Sequence, residues 1–392
     1  MRKFLLGAVA GFAAGYCAYR GWEALSLLTG RVKKHPRDAA SYGATRRALA
    51  LAGIARSMAS AASLAYGPLG KRLERNVEPL PVWLRPMAFA AAATLFDAAV
   101  ELPIDFVEGY GLEHGYGLSD QPVRSWLSDK MKQDTLGAGV AIALAGIFAA
   151  ALRRWPNAWP YVAGAGVFPL LLLANIVVPI YVMPLFNEYR PIEGALERRL
   201  RALAARYGVG DAEILRVDMS KQTKKANAFV IGIGTTHRIV VGDTLIEHFP
   251  EEEIEFVVAH ELGHYVSKDS WRMIALAEAL AFAVLLGAYY ALGERGRKNS
   301  ARTSTLARIQ WWTLLFSTAF RPAISAYSRS REWAADRFAL AATNAPATGA
   351  AAFMRLRDQN LSEDQQPAWF EFLFSTHPSL RARIQALQKS QK

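Results

Sequence analysis

The stretch PYVAGAGVFPLLLLANIVVPIYVMPLF, from Pro160 to Phe186, carries no Asp, Glu, Lys or Arg. About 20 apolar residues cross the hydrocarbon core of a bilayer as a helix, so this segment reads as a membrane span. Working outward, three more segments share its character. Thr135 to Leu152 (TLGAGVAIALAGIFAAAL) ends on Arg153-Arg154. Met273 to Leu292 carries the single acid Glu278, and Ile309 to Tyr327 the single base Arg321, followed by Pro322. Arginine and tryptophan at their ends suit the membrane interface. Two further segments are weaker: Ala48 to Tyr66, with Arg56 inside it, and Pro86 to Phe106, with Asp97, Glu101 and Asp105. Acids at membrane depth are costly and normally face a bundle interior or a wet cavity. Met1-Arg2-Lys3 followed by FLLGAVAGFAAGYCAY reads as an uncleaved signal anchor, since no convincing cleavage box follows it. The expected fold is a mostly α-helical polytopic membrane protein with six or seven transmembrane helices.

Composition agrees. Of 392 residues, 52% are hydrophobic and only 20% charged, against about 25% charged in soluble domains. That excludes a disordered chain, which lacks apolar residues to bury. The single cysteine, Cys17, excludes an internal disulfide framework. The net charge of +12 could serve a nucleic-acid binder, but a membrane protein with basic cytoplasmic loops carries it equally well. The apolar segments decide for the membrane: the bilayer is the expected partner, and nucleic acid is not.

The remaining chain divides into polar blocks. After the N-terminal membrane helices and loops (1–186), residues 187–270 read as an α/β insert. It opens with an amphipathic helix near Ile192 to Tyr207 and continues with strand-like Glu213 to Met219. Asn227 to Ile233 (NAFVIGI) and Arg238 to Val241 (RIVV), joined by Gly234-Thr235-Thr236, form a hairpin pattern. Residues 271–328 form a membrane hairpin, and 329–392 a mostly helical C-terminal block.

Chemistry concentrates in His260-Glu261-Leu262-Gly263-His264. Pro250 and Glu251-Glu252-Glu253 suit the start of a helix, where negative charge complements the dipole. Residues i and i+4 share one helix face, so His260 and His264 can chelate one Zn2+, with Glu261 beside it as general base. A catalytic zinc takes three protein ligands plus water. The third has a candidate in SRSREWAADRFA, where Glu332 and Asp336 are also four apart on an expected helix. Like charges at that spacing destabilise a helix unless neutralised. Arg329, Arg331 and Arg337 could neutralise them, which is the bland reading. The sharper one puts Glu332 on the metal and Asp336 behind a histidine as its orienting acceptor. The membrane hairpin between His264 and Glu332 leaves and returns, so both would lie at the same membrane surface.

Four blocks in this order, KKANAFVIGIG, VVAHELGHYVSKD, SRSREWAADRFA and STHPSLRARI, carry a resemblance. With PLFNEYRPIEGAL ahead of them and a fainter likeness in YGLEHGYGLSDQPVRSWLSDK, the chain resembles the CAAX prenyl protease 1 family of integral-membrane zinc endopeptidases, of gluzincin type. The resemblance implies His260, His264 and Glu332 as zinc ligands, Glu261 as base and Asp336 as the partner of Glu332. It matches the family's late His-Pro block to His377-Pro378, with Arg383 downstream. By itself a histidine before proline reads as a helix-entry residue. The resemblance makes His377 a donor to the oxyanion and Arg383 its supporting charge. It likewise turns the strand opening at Asn227 and Ala228 into a rail that pairs with a substrate backbone. The implied architecture is a ring of helices around a chamber faced by the zinc.

The expected activity is peptide hydrolysis by zinc-activated water. The substrates would be prenylated CAAX-type C-termini, or membrane and exported proteins in quality control. A non-proteolytic transporter or scaffold with a structural zinc is the rival; Glu261 weighs against it, because a structural site needs no base. The alanine- and arginine-rich composition resembles a bacterial chain, which places it in the inner membrane. Arg31, Lys33, Lys34, Arg37, Arg46 and Arg47, on the zinc side, favour a cytoplasmic catalytic face.

Overall fold

A computed structural model describes residues 34–232, 237–298 and 302–390. The expected N-terminal anchor lies outside them. Asp38 starts α1 (Ala39–Tyr66) by accepting from Ala40 N and Ser41 N, which satisfies two of the donors a helix start leaves unpaired. After α2 (Pro68–Val77) come α3 (Arg85–Asp105), α4 (Val123–Arg154) and α5 (Trp159–Val177). Two of these helices run on through π-helical turns, Phe106–Gly111 after α3 and Val178–Val182 after α5. Pro103 stands just before the first turn and Pro179 within the second. Each removes a backbone donor, and the ladder slips register there.

The sheet comes next, with β1 (Tyr189–Pro191), α6 (Ala195–Arg206), β2 (Glu213–Val217), β3 (Ala228–Ile231) and β4 (Arg238–Gly242). Strand order is β1-β2-β4-β3, with β2 and β4 parallel and the other pairs antiparallel. The hairpin pairing expected of NAFVIGI and RIVV is present, with Ala228 opposite Val241, while its turn lies outside the described residues. The first helix of the block starts later than its periodicity suggests. Gly194, at φ +85°, turns the chain into it in a conformation that favours glycine.

Then follow α7 (Asp243–His248), α8 (Glu251–Val266), α9 (Asp269–Ala291), α10 (Gly293–Lys298) and α11 (Thr303–Thr343). The chain closes with α12 (Pro346–Gln359), α13 (Ala368–Phe374) and α14 (Leu380–Lys389).

Five described helical segments are long and apolar enough to cross a membrane: Ala39–Tyr66, Arg85–Gly115, Val123–Arg154, Trp159–Leu185 and Asp269–Ala291. Leu95, Val140, Ile147 and Leu173 stand exposed on them, more apolar surface than a water-facing domain presents and what a lipid-facing wall requires. Ile309–Tyr327 lies inside the 41-residue α11, where Gln310 and Arg321 dilute its apolarity below that of the five. The chain leaves along α9 and returns along α11, and the two helices pack together.

The main core joins α6, the sheet, α8, the far end of α11, α12 and α14, with buried residues running from Ile192 to Leu387. The α/β block and the C-terminal block therefore share one interior. Gly263 lets α8 approach α11 closely: a Cβ there would lie 3.1 Å from Ala335 Cα and from Phe338 Cβ.

Candidate active site

His260 and His264 project from one face of α8, and Glu332 comes from α11, brought opposite them by the close crossing at Gly263. His260 Nε2 is 3.2 Å from Glu332 Oε2, and His264 Nε2 is 3.4 Å from Glu332 Oε1. One ligand atom from each residue lies within 4.8 Å of the others. The far ring nitrogens are held by different carboxylates. His260 Nδ1 lies 2.9 Å from Asp336 Oδ1, and His264 Nδ1 lies 2.9 Å from Asp269 Oδ2. With each Nδ1–H donating to its carboxylate, both Nε2 lone pairs point at the same small volume.

The donor set fits a divalent cation. Buried Glu332 Oε2 has no aligned hydrogen-bond donor, although His260 Nε2 is beside it. Two lone pairs that face each other in a buried site call for an electropositive ion between them. The surrounding carboxylates favour positive charge at this point, which a proton or a cation can supply. Burial works to lower the His260 imidazole, but Asp336 and Glu332 outweigh it and push it up to about 9. Burial works to raise Glu332, yet the histidines hold it well below the usual carboxylate range.

Glu261 sits beside the cluster and lines the cavity, with no hydrogen-bond partner among the described residues. Burial pushes its carboxyl above the usual range, opposed by His260 and His264. That is the environment of a carboxylate able to take up a proton.

His377 enters from the loop before α14, at the cavity mouth, with Nε2 3.3 Å from Glu332 Oε1. Its Nδ1 is 2.9 Å from Thr376 Oγ1. Arg329 fixes this loop by donating to Glu371 O and Ser375 O, both at 2.7 Å. Arg383 is buried behind the cluster. Its Nε and Nη2 grip Asp336 at 2.8 and 2.6 Å, its guanidinium lies 4.1 Å over the Phe353 ring, and Nη1 is 3.7 Å from Glu332 Oε2. Asn227 and Ala228 line the same cavity, at the start of edge strand β3.

Two site residues were not anticipated from the sequence. Asp269, the first residue of α9, orients His264, and Arg331 Nε donates to its other oxygen at 2.7 Å. The available signal was an acid five residues past the second histidine. Only the left-handed Lys268 (φ 55°), which breaks α8 from α9, turns it back toward that histidine.

Two family models match the chain: "Peptidase family M48" over residues 192–391 and "CAAX prenyl protease N-terminal, five membrane helices" over residues 39–188. The uncharacterized metalloprotease YhfN of Bacillus subtilis is 28% identical over 322 residues, which are 79% of this chain and 74% of that protein. CAAX prenyl protease 1 of Saccharomyces cerevisiae is 28% identical over 200 residues, 50% of this chain and 44% of that protein. The crystal structure of S. mikatae Ste24p shares the fold, with a TM-score of 0.77 at 20% identity, covering 97% of this chain and 98% of that one.

Proposed function

The chain belongs to peptidase family M48 and is a membrane metallopeptidase, and from that premise we propose that its metal is zinc, held by His260, His264 and Glu332. The observation that carries this reading is the convergence of two histidines and one carboxylate, each histidine backed by its own acid. When bound, zinc would act as a Lewis acid and lower the pKa of a coordinated water.

The chain's own residues do the rest. Glu261 takes the proton of the attacking water and passes it to the leaving amide nitrogen. His377 donates a hydrogen bond to the carbonyl oxygen as charge develops on it, with Nδ1 steadied by Thr376. Asp336 and Asp269 hold the histidine rings, and Arg383 holds Asp336. The backbone at Ala228 pairs with an extended substrate segment, with Asn227 beside it, so that many sequences can be positioned.

The substrates in this reading are segments of membrane-associated proteins. The relatives named CAAX prenyl protease 1 in Saccharomyces cerevisiae and CAAX prenyl protease 1 homolog in Oryza sativa support prenylated C-termini. Lys34, Arg37, Arg46 and Arg47 open or precede the helix that runs past the cavity, which supports a cytoplasmic catalytic face in a bacterial inner membrane. Peptide cleavage by detergent-purified protein tests the activity. Glu261→Gln should lose it by several orders of magnitude while retaining zinc, and a variant that cleaves like wild type would defeat the reading.

A further inference from the structure

A second cavity, of about 520 Å³, shares no lining residue with the one beside the histidines. Tyr207, just past α6, forms one wall, and Tyr265 and Val266, at the end of α8, form another. Lys268, Ser270 and Trp271 close it where α8 gives way to α9. Both tyrosine walls are held from outside the cavity. The Tyr207 ring packs on Phe338 with centroids 4.6 Å apart, and the Tyr265 hydroxyl lies 3.2 Å from His237 Nδ1. The cavity is therefore a preformed one, of the size that small-molecule sites have.

Its position and charge narrow the occupant. Because α9 is one of the five helices long and apolar enough to cross a membrane, its first turn stands at the level of the lipid headgroups. Trp271 and Val266 are exposed there, continuous with the lipid-facing wall, and tryptophan is the side chain that suits this depth. None of the described lining residues is acidic. Lys268 is exposed, and its ammonium has no partner among the described residues. The neighbouring acid, Asp269, gives its oxygens to His264 and Arg331 instead. Arg272, exposed one residue beyond the cavity, adds a second positive charge. Lys268 also holds a left-handed backbone (φ 55°), which costs a residue with a Cβ about 1–2 kcal/mol and glycine nothing.

We propose that this cavity binds the headgroup of an anionic membrane phospholipid. Lys268 meets the phosphodiester, the Ser270 hydroxyl donates to it, and an acyl chain leaves across Val266 and Trp271 into the bilayer. A zwitterionic lipid brings its own cation toward Lys268 and Arg272, so a net-negative headgroup is favoured. Asp269 lies between two residues of this wall, so a headgroup that holds Lys268 and Ser270 also steadies the turn that aims Asp269 at His264. Occupancy should then raise zinc affinity. That coupling rests on the metallopeptidase reading above; the lipid site does not.

Full-length protein in nanodiscs of phosphatidylcholine, with or without phosphatidylglycerol, tests this. Native mass spectrometry counts the lipid retained on release, and chelator competition reads zinc affinity. Wild type should retain one phosphatidylglycerol in preference to phosphatidylcholine by about 10-fold or more, as for a hydrogen bond to a charged group. Lys268→Gln should lose that preference and Lys268→Arg keep it. Lys132→Gln, which removes a half-exposed cation outside the cavity, should also keep it. Phosphatidylglycerol should raise zinc affinity several-fold in wild type and not in Lys268→Gln. No preference in wild type, or an equal one in Lys268→Gln, would overturn the site. Inorganic phosphate that raised zinc affinity equally in phosphatidylcholine discs would overturn the lipid as its occupant. Zinc affinity indifferent to phosphatidylglycerol, with the preference intact, would overturn the coupling. Wild type that bound no zinc would remove the metallopeptidase reading, while the lipid preference would still be read by mass.

Discussion

His264 Nδ1 lies 2.9 Å from Asp269 Oδ2, so the first residue of a membrane-crossing helix sets the orientation of a proposed ligand on the helix before it. Arg331 donates to the other oxygen of Asp269 from the helix that also supplies Glu332. The ion pair therefore joins both sides of the ligand set.

Removing that support should weaken the metal site without dismantling it. Asp269→Ala is expected to lower zinc affinity by about 10- to 100-fold, the usual cost of losing a histidine's carboxylate partner. Competition with a chromogenic chelator measures it directly. Unchanged affinity would mean that α8 packing alone orients His264.

Zinc stoichiometry decides the third ligand. Wild type should carry one zinc per chain, and Glu332→Ala much less, because two histidines alone make a weak site. Full occupancy in the variant would place the third ligand elsewhere.

The proposed ligands come from α8 and α11, so a metal bound there would fasten two elements otherwise held by packing. A chelator should abolish peptide cleavage, and added zinc should restore it. The midpoint of thermal unfolding should rise with free zinc, by the equivalent of about 2.7 kcal/mol at a hundredfold excess over Kd. His260→Ala should abolish that rise.

Gly349 on α12 faces the fully buried Phe256 on α8, one helical turn before His260. A Cβ at Gly349 would come within 2.4 Å of the Phe256 ring. Gly349→Ala should cost about 1–3 kcal/mol by overpacking. Gly53→Ala makes the control, since nothing lies within 4 Å of the added carbon and alanine is the better helix former. Chemical or thermal denaturation of the two proteins side by side would reverse this assignment if Gly349→Ala proved the more stable.

Much of the site is written in local spacing. His260 and His264 at i and i+4, with Glu261 between them, follow from helix geometry alone, and the charge-free runs around Pro160–Phe186 and Thr135–Leu152 declare membrane helices without tertiary help. Asp269 was hidden because its part depends on a single left-handed residue between α8 and α9. The link from Asn360 to Ala226 was hidden because nothing near either in the chain suggests a partner. Asn360 lies 134 residues from the backbone it caps, and Lys225 stands 183 residues from the Tyr42 hydroxyl to which it donates.

The sequence by itself determined a membrane-crossing chain with two histidines on one helix face, because apolar length and helical periodicity are local properties that solvent and backbone geometry enforce. Only the tertiary structure decided which acid backs which histidine, that Arg383 grips Asp336, and that Asn360 caps the backbone at Ala226. Those relationships are made between helices and strands far apart in the chain. Packing fixes their distances, and no spacing in the sequence encodes them.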